Sequence, residues 1–186
     1  MNIDGSLEQL RRDVQYLKDR QAILDCIARH ARGHDRHDAD LLTNAYHEDG
    51  IDEHGHAINR GSQYAKWANA IHAAGSSLHT HNITTHLCEI EGDVAHAESY
   101  VIVALLNNDE TSARLISGRY IDRLERRNGE WKIALRRSTV DVLISGDASI
   151  LKAPLFVQQG YTKGIRDKRD VSYQRPLNLD VTPERW

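Results

Sequence analysis

Eleven histidines stand in this chain, concentrated between His30 and His96. An imidazole titrates near pH 6.5 and ligates metals when neutral, so this density invites both acid–base and metal chemistry. The run Leu78-His79-Thr80-His81-Asn82-Ile83-Thr84-Thr85-His86-Leu87 reads as a strand start in which His79, His81, Ile83 and Thr85 share one face and Thr80, Asn82, Thr84 and His86 the other. Two polar faces on a central strand imply that one lines a cavity; the plainer alternative is a frayed, solvated strand end. The run Ala31-Arg32-Gly33-His34-Asp35-Arg36-His37-Asp38 places Asp35 after a helix stop, where a plain solvated loop aspartate is the simplest account.

Metal chemistry competes. His54-Gly55-His56 and His79-Thr80-His81 each set two imidazoles on one strand face, as some metal sites do, although no His-Glu-x-x-His run or cysteine cluster accompanies them. Cys26 and Cys88 lie in a helical and a strand segment respectively and read as buried free thiols. Gly92, Gly118 and Gly129 belong to turns or strands, with no phosphate cradle among them, and no serine stands in a nucleophile elbow.

The elements that must position these residues come in a helices-then-sheet order. Ser6-Leu7-Glu8-Gln9 has the form of a capping box, and Leu7, Leu10, Val14, Leu17, Leu24 and Ile27 form one stripe of a long first helix. That helix could restart at Asp19 and should stop at Gly33. Asp38 caps a short second helix, and Gln63 to Ala74 forms a third with Trp67 on its apolar side. Long β runs follow at Leu78–Ile90, Val94–Leu106, Ser112–Arg126 and Trp131–Ile144, separated by turn residues, with a shorter strand at Ile51–Ile58. Consecutive hairpins predict an antiparallel meander with helices on one face, an α+β domain over residues 1–144. Residues 145–186, with Pro154, Pro176 and Pro183, read as an extended C-terminal arm whose Phe156, Tyr161 and Tyr173 pack on a pocket mouth or a neighbouring subunit.

A net charge of −3 with scattered Lys and Arg leaves no basic field for nucleic acid. No apolar run approaches the ~20 residues of a membrane span and the N-terminus lacks signal-peptide order, so a cytoplasmic location is expected.

Arg20-Gln21-Ala22-Ile23, Ala31-Arg32-Gly33-x-Asp35, a His-x-x-x-Thr strand start, Gly118-Arg119-Tyr120-x-Asp122, Gly129-x-Trp131-Lys132-Ile133 and Arg136-Arg137 together resemble the SnoaL-like family of the nuclear transport factor 2-like superfamily. That resemblance covers the chain up to Leu143. It implies a cone: a curved antiparallel sheet closed by N-terminal helices around an apolar pocket. By resemblance to the family's dehydratases and dehydrochlorinase, Asp35 and His81 form a catalytic Asp–His pair, and Arg136 faces the pocket. His30, Tyr46 and Tyr100 stand as further substrate-binding candidates, since tyrosines found near the aspartate in some relatives are replaced here by His30 and His34. The implied activity is a cofactor-independent lyase, of dehydratase or dehydrohalogenase type, or an isomerase, acting on a hydrophobic, cyclic small molecule. No metal or other cofactor is expected, and the protein should be a homo-oligomer, a trimer by resemblance. Three alternatives stand: a non-catalytic subunit like the β subunits of aromatic-ring-hydroxylating dioxygenases, a metal-dependent enzyme using the paired histidines, and a ligand-binding module in which the pocket survives without catalysis.

Overall fold

The computed structural model describes residues 3–186. Helix α1 (Ile3–Asp35) runs unbroken for 33 residues. Asp19 does not restart it. Its side chain instead accepts from Nε1 of Trp131 and from Arg126, each at 2.9 Å, tying the helix to the sheet. Gly33 does not stop it either. The helix ends two residues later, with His37 in the left-handed region (φ 46°) and bonds from His37 N to His34 O (3.1 Å) and from Asp38 N to Gly33 O (2.9 Å). This is the paired-carbonyl cap usually built on glycine. Gly33 serves close approach: a Cβ there would sit 2.9 Å from both Cγ and N of Leu42.

Helix α2 (Ala39–Asn44) starts as expected at Asp38, which accepts from Leu41 N. The single strand expected at Ile51–Ile58 is a hairpin, β1 (Tyr46–His54) and β2 (Ala57–Arg60), turning at Gly55 with φ 64°. Helix α3 (Gly61–Gly75) leads into β3 (Leu78–Glu91), β4 (Val94–Leu106), β5 (Ser112–Arg127) and β6 (Glu130–Asp147).

These strands form one six-stranded sheet in the order β2-β1-β6-β5-β4-β3. The meander from β3 to β6 is antiparallel as expected, but β1 lies parallel to β6, pairing Ile51 with Leu135 and His54 with Ser138. This corrects the closed antiparallel cone. The sheet is mixed and open: β2 and β3 are its two edges and do not pair with each other. Nor is its interior an apolar pocket. Where α1 and α3 cover the sheet, the space holds Ile23, Ile27, Leu124 and Ile133 together with buried His30, His34, Tyr46, Tyr64, Tyr120 and Arg136.

The apolar stripe of α1 is only partly buried. Ile27 is fully buried, as are its neighbours Ile23 and Cys26, and Leu24 is half-buried, whereas Leu7, Leu10, Val14 and Leu17 project into solvent. Both cysteines are buried free thiols, and burial pushes the Cys26 thiol up to about 11. Trp131 is buried, with Trp67 packed against the same core. After β6, a helical turn at Ser149–Lys152 and helix α4 (Pro154–Gln159) lead into irregular chain that folds back on the end of α1. No helix among the described residues is long and apolar enough to cross a membrane.

Candidate active site

Asp35 is the last residue of α1, and His81 is the fourth of β3. The two meet because α1 packs along β3. Nδ1 of His81 lies 2.7 Å from Oδ1 of Asp35, and the His81 backbone N–H also reaches both carboxylate oxygens, at 2.9 and 3.1 Å. A carboxylate at a helix C-terminus faces the negative end of the helix dipole, a cost these donors offset. The pair is largely withdrawn from water, with side-chain exposures of 14% for Asp35 and 5% for His81. An open groove of about 370 Å³ touches it, lined by Ala28, Ala31, Arg32, Asp35, Arg36, His81 and Ile83.

The alternation on β3 holds for His79, His81 and Ile83, then breaks. A register shift between Ile83 and His86 slips the strand by one residue, so His86 turns inward and bonds Oγ of Ser99 at 2.9 Å. Thr85, expected beside His81, is exposed instead.

Around His81 stand further imidazoles. His34 stacks on it with ring centroids 4.7 Å apart, and His72, from α3, lies 5.6 Å away and nearly parallel. His34 is fully buried, its Nε2 3.0 Å from the Tyr64 hydroxyl and its Nδ1 without a partner. Burial holds His34 well below the ordinary imidazole value, His72 at about 3 and His79 at about 2, so all three are neutral at physiological pH. Neither His34 nor His72 stood out by spacing. The one available signal was helical geometry: His30 and His34 are one turn apart on α1.

Arg136 belongs to a different network. It is fully buried and bidentate on Asp122 at 2.7 and 2.6 Å, stacked 3.9 Å above the Tyr120 ring, with its remaining terminal nitrogen 2.8 Å from Nδ1 of His30. Guanidinium groups only donate, so His30 accepts there and carries its proton on Nε2. That proton points to the Tyr46 hydroxyl at 3.1 Å, which in turn donates to Asp52 at 2.6 Å. Arg136, His30 and Tyr46 are thus joined behind the pair, and none of them lines the groove. Burial by itself pulls the Arg136 pKa down, but the Asp122 charge and hydrogen bonds outweigh it and the net shift is upward. Tyr100 is on the other side of the sheet, 44% exposed, because even-numbered residues of β4 point outward.

For a metal, one nitrogen each from His34, His72 and His81 lie within 4.8 Å of one another; His37, His72 and His79 form a similar group, as do Asp35, His79 and His81. In the two groups that contain His79 the fit is poor on protons. That residue faces a carbonyl with one nitrogen and a guanidinium with the other, and His72 abuts the first of these, so hydrogen bonds already engage the nitrogens of His79. The group of His34, His72 and His81 does not depend on it. His54 and His56 enter no such group among the described residues.

Helices laid on one face of a mixed sheet, with an Asp–His pair where the first helix ends against the edge strand, define the class of protein. The SnoaL-like domain family matches residues 15–137, and the chain belongs to that family. Among solved structures, it is similar to a variant of Rv3472, a protein of unknown function from Mycobacterium tuberculosis, at 29% identity and TM-score 0.61 over 69% of this chain and 75% of that one. It is also similar to hexachlorocyclohexane dehydrochlorinase LinA-type3 from Novosphingobium barchaimii at 20% identity and TM-score 0.67 over 72% and 94% of the two chains. A third likeness is to the Kfla4162 protein from Kribbella flavida, at 21% identity and TM-score 0.62 over 74% and 99%. The last two speak to the fold alone. No curated protein matches.

Proposed function

We propose that the protein is a cofactor-independent lyase, of dehydratase or dehydrohalogenase type, or an isomerase, acting on a hydrophobic, cyclic small molecule through Asp35 and His81. The observation that carries this is the 2.7 Å contact from His81 Nδ1 to Asp35. It commits one ring nitrogen to the carboxylate and leaves Nε2 with a lone pair, the form a general base needs. Asp35 stabilises the imidazolium once formed. In elimination, His81 takes a proton from carbon, the C–H electron pair becomes the double bond, and the departing hydroxide takes that proton to leave as water; a halide leaves as the anion. With no leaving group, return of the proton to another carbon gives isomerisation.

A non-catalytic assembly subunit needs no such pair, and the pair's alignment and withdrawal from water favour the enzyme. The exposed stripe Leu7, Leu10, Val14 and Leu17 supports a homo-oligomer, with a trimer as the expected state. The test is to incubate the protein with hydroxylated and halogenated cyclic compounds and follow loss of water or hydrogen halide by mass spectrometry, beside His81→Ala. Turnover equal in both would refute the proposal. Light scattering, read against the 21.1 kDa chain, tests the oligomer.

A further inference from the structure

The arm reaches the histidine cluster through Arg166, whose Nη2 donates to Oγ of Ser76 at 2.9 Å and to Nδ1 of His79 at 3.0 Å. A guanidinium offers donors only, so Nδ1 of His79 presents its lone pair. The other nitrogen, Nε2, lies 2.8 Å from the carbonyl oxygen of His34, which only accepts, so the His79 proton is on Nε2. Nδ1 of His72 lies 3.0 Å from that N–H and must accept a share of it. Neutral His72 therefore carries its own proton on Nε2.

We propose that the arm, through Arg166, makes His72 the hydrogen-bond donor of the active site. Arg166 and His79 are positioning residues: Arg166, together with the His34 carbonyl, holds the His79 proton on Nε2, and His79 thereby sets the His72 tautomer; the proposal rests on the acid–base reading of Asp35 and His81. With Nδ1 of His81 committed to Asp35 and Nδ1 of His72 to His79, the nitrogens left to act are a lone pair on His81 and an N–H on His72. One nitrogen of each, with one of His34, falls within 4.8 Å of the others, which sets donor and base side by side. A neutral imidazole suits an oxygen at which negative charge develops, because it donates a hydrogen bond there and keeps its proton. The proton removed from carbon goes to His81, which in dehydration passes it to the departing hydroxide and in loss of halide keeps it.

Two observations mark the arm contact as more than packing. Arg166 is half-buried with its Nε unpartnered, an arrangement that costs stability. The arm is also fastened to the end of α1 that carries Asp35: Arg36 pairs with Asp170 at 3.1 Å, Tyr173 donates to Asp38 at 2.8 Å, and Arg32 stacks 4.6 Å above Tyr173. Base, donor and arm are held by one helix end.

Ring-nitrogen NMR on the full-length, 15N-histidine-labelled protein tests this without any substrate. The expected wild-type spectrum shows His72 and His79 protonated on Nε2 and His81 on Nδ1. Arg166→Ala should bring in the Nδ1–H forms of His79 and His72 and leave His81 unchanged, and Arg166→Lys, which also only donates, should restore the wild-type pattern. With a substrate in hand, His72→Ala should lower kcat by about 100-fold, and Arg166→Ala by the fraction of molecules in which His72 has left the Nε2–H tautomer. A wild-type His72 protonated on Nδ1, or tautomers unmoved by Arg166→Ala, would overturn the proposal. Failure of the acid–base reading would show separately, as undiminished activity in His81→Ala.

Discussion

His81 meets Asp35 twice, through its ring and through its own backbone N–H, so the carboxylate holds both the imidazole and the strand that carries it. Asp35→Asn should separate these roles. The asparagine oxygen still accepts one N–H, so the fold and melting temperature should change little. The imidazole loses its negative partner, and kcat should fall by about 10²- to 10⁴-fold. A steady-state assay on a substrate found by the screen, beside a thermal melt, checks both.

Arg136 and Asp122 form an ion pair with both side chains at 0% exposure. Arg136→Met should destabilise the protein by roughly 3–5 kcal/mol, because it strands a buried carboxylate. Arg119→Met, at a partly exposed pair with Asp141, should cost only about 0–1 kcal/mol. Urea denaturation midpoints for the two variants rank the effects directly.

The neutral buried histidines make stability depend on pH. His37, His72 and His79 are held by burial at about 4, 3 and 2, and His30 and His34 well below the ordinary value. In the unfolded chain each titrates near 6.5, so below that pH the unfolded state binds more protons and stability rises with pH. Stability is therefore full above about pH 6.5 and is lost as pH falls toward the folded-state values. Each such histidine contributes at most about 1.4 kcal/mol per pH unit. Melting temperatures between pH 7.5 and pH 4.5 should drop steeply on the acid side; a flat profile would contradict neutral burial.

Gly33→Ala pits two effects against each other. Alanine gains about 1 kcal/mol in helix propensity, but its Cβ would stand 2.9 Å from the backbone nitrogen of Leu42, which has no flexible end to move. The steric effect should win, lowering stability by about 1–3 kcal/mol and shifting the helix end that presents Asp35. Chemical denaturation gives the sign.

Local pattern made much of this molecule legible. Alternation and turn residues placed four strands to within a few residues, and Asp38 was readable as a cap because a capping side chain bonds within its own turn. The ordered motifs identified the family, and with it came the expectation that Asp35 and His81 meet. What stayed hidden depends on partners far along the chain. The parallel pairing of β1 with β6 joins Ile51 to Leu135, and no local signal specifies a register across that distance. Arg136 reads as a strand residue with one free face; only packing decides that this face meets Asp122 and His30 instead of a cavity. The bulge before His86 inverts an alternation that sequence reads as continuous. Arg166 sits in the charge run Lys163-Gly164-Ile165-Arg166-Asp167-Lys168-Arg169, which reads from sequence as solvated or intersubunit, and its place against His79 depends on how the arm folds back. By itself the sequence determined which elements form and in what order, because those follow from neighbours in the chain. The tertiary structure decided which polar groups share the interior, because the protons on His30, His72 and His79 are set by partners that only folding brings within hydrogen-bond reach.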